Sequence, residues 1–279
     1  MLASLRFERG PRMSAVAEPV TIDLDRFPKP PFARLVAVEL RKMYDTRAGL
    51  WLLISTGLLT AAVMVIQLLV IVTQDLTVGY HGFLIAMNTP MGIMLPVLGV
   101  MSVTSEWGQR TAMVTFTQTP SRSRVIGAKL ASVALLAVVA VVLGLALAAV
   151  GNLLYGGLTG NPVSWEVGGG AQIFYFFLLH LLGLVTGFAL GMLLLNTPAA
   201  IVIYFVYSFV LPTIFGIAYE LIGWFHDLRP WVDFAFAQQP LVEGGVSGDE
   251  WAHLVVSGLF WLALPFVVGL WRVLRAEVK

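Results

Sequence analysis

What this chain of 279 residues lacks narrows its chemistry before anything else does. It has no cysteine, so no disulfide can staple its loops and no thiol chemistry is open to it. It has no Gly-x-x-x-x-Gly-Lys-Ser/Thr phosphate loop. The nearest fragment, Gly127-Ala-Lys129-Leu130, lacks the upstream glycine and the hydroxyl that holds magnesium, so ATP hydrolysis by that route is excluded. Gly-x-Ser-x-Gly, His-Glu-x-x-His and paired acidic residues within an apolar run are also missing, which argues against hydrolysis inside a membrane and against a metal site. Charge itself is scarce. Only 12% of residues are charged and 58% are hydrophobic, and a soluble domain carries about twice that charge.

What is present is a set of charge-free apolar runs at about Leu50–Val72, Gly82–Val103, Leu130–Val150, Ala171–Leu195, Pro198–Tyr219 and Ala252–Trp271. Each is long enough to cross a hydrocarbon core of ~30 Å as a helix of about twenty residues. When the connectors are assigned alternately to two sides, 16 of the 17 Lys and Arg residues fall on one side, and only Arg229 falls on the other. The positive-inside bias then places both termini and the 104–129 loop in the cytoplasm. The expected fold is all-α and integral to the membrane, with six transmembrane helices. The one-sided basic residues are explained by topology and carry no nucleic-acid signature.

Residues 1–31 mix Arg with Glu, Asp and Pro, lack the apolar core of a cleaved signal, and read as a disordered cytosolic tail. Over 32–47, Phe32, Leu35, Val36, Leu40 and Met43 recur at helical spacing, with Arg34, Arg41 and Asp45 opposite. That pattern predicts an amphipathic helix lying in the membrane surface, ahead of a six-span domain over 48–279. Glu39 breaks it by falling among the apolar positions. Either its carboxylate snorkels to the head groups or it pairs with a basic group on another element.

In the 104–129 loop, Ser105 and Glu106 have the character of a helix start, a cap followed by a first-turn carboxylate. The helix would run through Trp107, Arg110 and Val114 and stop before Pro120. An ordinary basic loop is the alternative. Two spans carry stripes that suit either helix packing or a substrate path. In the second these are Met87, Met91 and Met94 with Asn88 beside them. In the fifth they are Tyr204, Ser208 and Phe215 with Tyr207 adjacent, and Pro212 is expected to kink the helix. Gly183, Gly187 and Gly191 form a small-residue stripe for close helix packing, with His180 on the same side. The aromatic segment 220–251 suits the outer interface.

The order of these features resembles the permease subunit of ABC type-2 exporters over about residues 32–279. The resemblance is carried by the surface helix, two spans, Glu106-Trp-Gly-Gln-Arg110-Thr111, Pro120-Ser-Arg122, Lys129 and four further spans. Arg110 departs from it, standing where that family often has Gly. The resemblance implies a coupling helix at Glu106–Thr117 that seats in a cytosolic ABC ATPase. Glu39, Glu106, Trp107, Arg110, Thr111 and Arg122 would serve that contact, and Glu39 would find its partner among nearby Arg residues. It also implies a second permease copy, a location in the bacterial plasma membrane, and two short re-entrant helices within 220–251. No cofactor is expected in this chain itself, since ATP and magnesium would belong to the partner. The alternatives are a membrane anchor or assembly factor that moves nothing, or a secondary transporter. The latter is disfavoured by the 53 residues between Glu166 and Glu220 that contain no Asp, Glu, Lys or Arg.

Overall fold

A computed structural model describes residues 30–109, 111–118, 121–167 and 171–276. The tail read at 1–31 lies outside these but for its last two residues, as does Arg110. Among the described residues every regular element is helical, and six helices are long and apolar enough to cross a membrane. The chain is therefore a multi-pass membrane protein. Its spans are α2 (Arg47–Thr73), α3 (Tyr80–Gly108), α5 (Arg122–Thr159), α6 (Gln172–Leu194), α7 (Thr197–Leu221) and α11 (Gly248–Arg275). They coincide with the six charge-free runs and overshoot most of them by a few residues, because helices continue into the interface where charge is tolerated. Between and before them lie α1 (Phe32–Asp45), α4 (Ala112–Gln118), α8 (Phe225–Val232), α9 (Phe234–Ala237) and α10 (Gln239–Glu243).

Two expected boundaries move. The first helix ends at Asp45 because Thr46, in extended backbone, caps α2 by accepting from the Gly49 amide at 3.2 Å. The helix expected to open at Glu106 does not start there. α3 runs on through Ser105 and Glu106 to Gly108, and a separate helix begins at Ala112. Thr111 closes the joint, its amide donating to the Glu106 carbonyl at 2.9 Å. Ser105 and Glu106 thus occupy a C-terminal turn, and the carboxylate is held there by lysines rather than by a helix N-terminus.

α3 is the most buried span and α7 the least. The partner of α3 is α6, and the glycine stripe explains how closely the two meet. A Cβ on Gly187 would lie 2.0 Å from the Pro96 carbonyl oxygen, and one on Gly191 would lie 3.0 Å from that of Val100. Gly99 answers from the other helix, where a Cβ would lie 2.2 Å from the Leu184 carbonyl oxygen. Backbone meets backbone here, as small residues allow between membrane helices. Met87, Met91, Leu95 and Leu98 are buried in the core that results.

Proline shapes three spans in two ways. In α3, Pro96 has no N–H to give to the Gly92 carbonyl, and the Tyr204 hydroxyl of α7 donates to that oxygen instead at 2.9 Å. In α7 and α11 the helix widens into a π-turn, at Val206–Val210 before Pro212 and at Leu259–Ala263 before Pro265. Leu211 and Leu264 donate five residues back, to Val206 and Leu259. The kink expected at Pro212 takes this form, because the wider turn makes room for the ring.

The bundle has two unlike ends. At one, Arg122 donates to the carbonyls of Val273, Leu274 and Ala276, and Arg272 to that of Leu193. At the other, α9 and α10 fold back alongside the spans. Phe234, Ala237 and Leu241 pack with Leu178, Leu179 and Leu182 of α6 and with Trp261 of α11. The Trp261 indole donates to the Val232 carbonyl at 2.7 Å. Since Leu182 lies ten residues into α6, about 15 Å at 1.5 Å per residue, this segment descends beside the spans instead of lying flat across them. After α10 the chain turns at Gly244 in the left-handed region (φ +89°), where a Cβ would collide with the Gln172 side chain.

Candidate functional site

The structure gathers the chemistry-bearing residues into two places, a charge cluster at the basic end and a polar cavity within the bundle. In the cluster, α1 supplies Glu39 and Lys42, α3 supplies Glu106, and α5 supplies Lys129. Lys42 Nζ lies 2.6 Å from Glu39 Oε1 and 2.7 Å from Glu106 Oε1. Lys129 Nζ lies 2.6 Å from Glu39 Oε2 and 3.0 Å from Glu106 Oε1. Glu39, Glu106 and Lys129 are buried, while Lys42 is part-exposed. Two ammonium groups face two carboxylates, so the cluster is neutral. Each carboxylate is shared by both lysines, which is the geometry needed to offset the desolvation of buried ions. Burial disfavours the Lys42 ammonium, but its hydrogen bonds to Glu106 and Glu39 and their charges outweigh this. Its pKa therefore stands above the ordinary lysine value.

Of the two readings of Glu39, pairing is the one realised, with lysines where arginines were expected. Arginine is not needed, because a compact ammonium fits between two helices more readily than a planar fork. Lys42 was missed by the sequence reading, although it stands three residues from Glu39 on one helix face. Beside the cluster lies a cavity of about 380 Å³ lined mainly by α1, α3, α4 and α5, with Gly49 of α2. Trp107 packs against the core from the last turn of α3, Thr111 caps that turn, and Arg122 holds the end of α11 away from the cluster. In α4, Met113 and Val114 are more than half exposed; Val114 was expected on this helix, and Met113 was not singled out.

The second place is a cavity of about 210 Å³ bounded by α3, α6, α7 and the α9–α10 segment. It brings together Asn88, Met91, Tyr204, Tyr207 and Ser208, all expected on a path, and adds His180 with Gln238 and Gln239. Gly183 lies on its wall, whereas Gly187 and Gly191 serve the α3–α6 contact. Met87 is fully buried in the core, and neither it nor Met94 borders the cavity. Phe215 lies elsewhere on α7, against Phe225 of α8 at a ring distance of 5.8 Å. Helix packing therefore accounts for part of each stripe and the cavity for the rest. His180 is buried on α6, its Nδ1 2.7 Å from the Phe176 carbonyl. His180 Nε2 and Asn88 Oδ1 are buried without a hydrogen-bond partner. No protein-family model matches this chain, and no curated protein matches it.

Proposed function

We propose that this chain is the membrane-spanning permease subunit of an ATP-driven exporter of the ABC type-2 class, with both termini and α4 in the cytoplasm. Two copies would form the translocation pathway and work with a separate cytosolic ATPase. α4 carries the reading. It is a short helix between two spans at the basic end, and it leaves Met113 and Val114 more than half exposed, Val114 at the edge of the cavity beside the charge cluster. An exposed apolar pair on such a helix suits a groove in a partner protein. The charge cluster supports the same reading. It ties α1, α3 and α5 into one unit, so that a push on α4 would pass through α3 and α5 to the bundle as a rigid-body motion. The exposed apolar face of α7, with Val202, Val206, Phe209 and Ile217, is available to a second copy.

The decisive experiment purifies the chain with the ATPase encoded beside its gene. The isolated subunit should show no ATPase activity, and the reconstituted complex should export with ATP turnover. Met113→Asp with Val114→Asp should abolish assembly while the protein inserts normally. An isolated gene with no co-purifying ATPase, or a double variant that assembles and exports like wild type, would refute the reading.

A further inference from the structure

The polar cavity constrains the chemistry of whatever fills it. None of the residues that line it is Asp, Glu, Lys or Arg. A charged ligand would therefore enter without a counter-charge at membrane depth, where an unneutralised ion is expensive. The unpartnered atoms then set the polarity of the occupant. The Phe176 carbonyl can only accept, so His180 Nδ1 carries the ring proton toward it, and Nε2 is left as a lone-pair acceptor. Asn88 Oδ1 is an acceptor as well, and both atoms are buried and unsatisfied. Tyr204 cannot supply the missing donor, because its hydroxyl is engaged by the Gly92 carbonyl that Pro96 leaves open. The walls also offer Met91, Leu179 and Val242 as apolar surface, with the polar groups of Tyr207, Ser208 and Gln239 beside them.

We infer that this cavity binds an uncharged amphipathic molecule that presents two hydroxyl or amide N–H donors to Asn88 Oδ1 and His180 Nε2. Its apolar part rests against Met91, Leu179 and Val242. An aliphatic amine is the wrong class, since it is cationic at neutral pH and finds no carboxylate here. A carboxylate is the wrong class too, since no Lys or Arg lines the cavity to neutralise it. The volume equals the share of about seven waters at ~30 Å³ each, so it admits the donor-bearing end of a molecule and not a large one whole. This inference names a substrate class for the exporter proposed above, and it rests on that reading only for the ligand's being moved.

The test uses the full chain in phosphatidylcholine nanodiscs, without ATP or partner, titrated by ligand-observed NMR and corrected for uptake by empty discs. The probes are a vicinal octanediol, the matching octanol, and the dimethyl ether of the diol. The diol should bind saturably, the octanol about tenfold more weakly, and the ether not at all, since each lost donor leaves a buried acceptor unpaired. Asn88→Leu and His180→Phe should each weaken the diol about tenfold. Each should also leave the thermal stability of the empty protein unchanged or raised, because an unsatisfied acceptor has been removed. If one variant fails to accumulate, the other carries the test. Equal binding of the diol and its ether, or a diol affinity that neither accumulating variant changes, overturns the inference and assigns the cavity to water. Because no ATPase is present, that failure leaves the exporter reading standing, and loss of ATPase coupling would leave this site standing.

Discussion

The charge cluster and the polar cavity are both polar groups buried among apolar helices, and they differ in whether their demands are met. At the basic end Glu39, Lys42, Glu106 and Lys129 satisfy one another across three helices. In the cavity Asn88 Oδ1 and His180 Nε2 have nothing to bond. A satisfied buried network fixes the elements that contribute to it, since separating them would strand charge. An unsatisfied site is poised for an occupant, because any donor that enters recovers a bond that the fold has left unmade. The same cost of burying polar groups therefore makes one region a clamp and leaves the other with two bonds open to a donor.

The comparison breaks most sharply at Lys129. Lys129→Met leaves Glu39 and Glu106 sharing only Lys42, and unfolding in detergent should show a loss of about 3–5 kcal/mol. Adding Glu39→Gln should restore part of that loss, and simple additivity of the two changes would show that the cluster is not a network. Glu106→Ala accordingly tests stability before it tests coupling. Gly187→Ala comes next. Its Cβ would meet the Pro96 carbonyl oxygen at 2.0 Å, so α3 and α6 must separate, at about 1–3 kcal/mol, while Gly216→Ala in open space should be nearly neutral. Equal effects at the two glycines would contradict the α3–α6 contact. Tyr204→Phe should lose about 1 kcal/mol by removing the donor to Gly92, with no change in the pH profile.

A smaller effect should appear at alkaline pH. The Lys42 pKa is raised on folding, so its contribution is full below the ordinary lysine value of 10.5 and is lost as pH rises through the folded value. The stability difference between wild type and Lys42→Met should therefore shrink above pH 10.5 and stay flat from there down to the acid range, where the carboxylate partners of Lys42 protonate. A gap that widened there would reverse the sign of the argument. The least effect on stability is expected at the exposed Met113, where Met113→Ala should stay within about 0.5 kcal/mol while partner binding weakens. Topology can be checked by impermeant thiol labelling, since the chain has no cysteine of its own. Ser123→Cys should be protected in intact cells and Gly245→Cys should react, both positions being exposed in the structure. Gly245 is preferable to Ser247, whose side chain caps α11.

Part of the candidate sites could be read from the chain. Glu39 announced itself by lying on an apolar face, which is an anomaly any helical projection exposes. Asn88, Met91, Tyr204, Tyr207 and Ser208 could be placed on two stripes, but only the fold shows that they share a cavity. Stripes alone could not separate these from Met87, Met94 and Phe215, since periodicity reports which residues share a face and not what that face meets. His180 Nε2 is unreadable for a related reason. Its lack of a partner depends on which atoms of α3, α7 and the α9–α10 segment come within reach. The boundary at Glu106 was misread because Ser105-Glu106 has the local chemistry of a helix start, and contacts from Lys42 and Lys129 override it.

The six spans and the unequal charge of the two ends are legible along the chain alone. Hydrocarbon thickness and the penalty on charge act residue by residue along the chain, with no need to know which helix neighbours which. Only the packing of the helices sets Gly99 against α6 and Gly187 against α3, lets Tyr204 complete the bond Pro96 leaves open, and closes four charges on one another while Asn88 Oδ1 and His180 Nε2 stay unpaired in their cavity. Inside a bilayer the helices are already formed and already apolar. What distinguishes one arrangement from another is close packing and the pairing of the few polar atoms, and those are properties of pairs of helices that no single stretch of sequence contains.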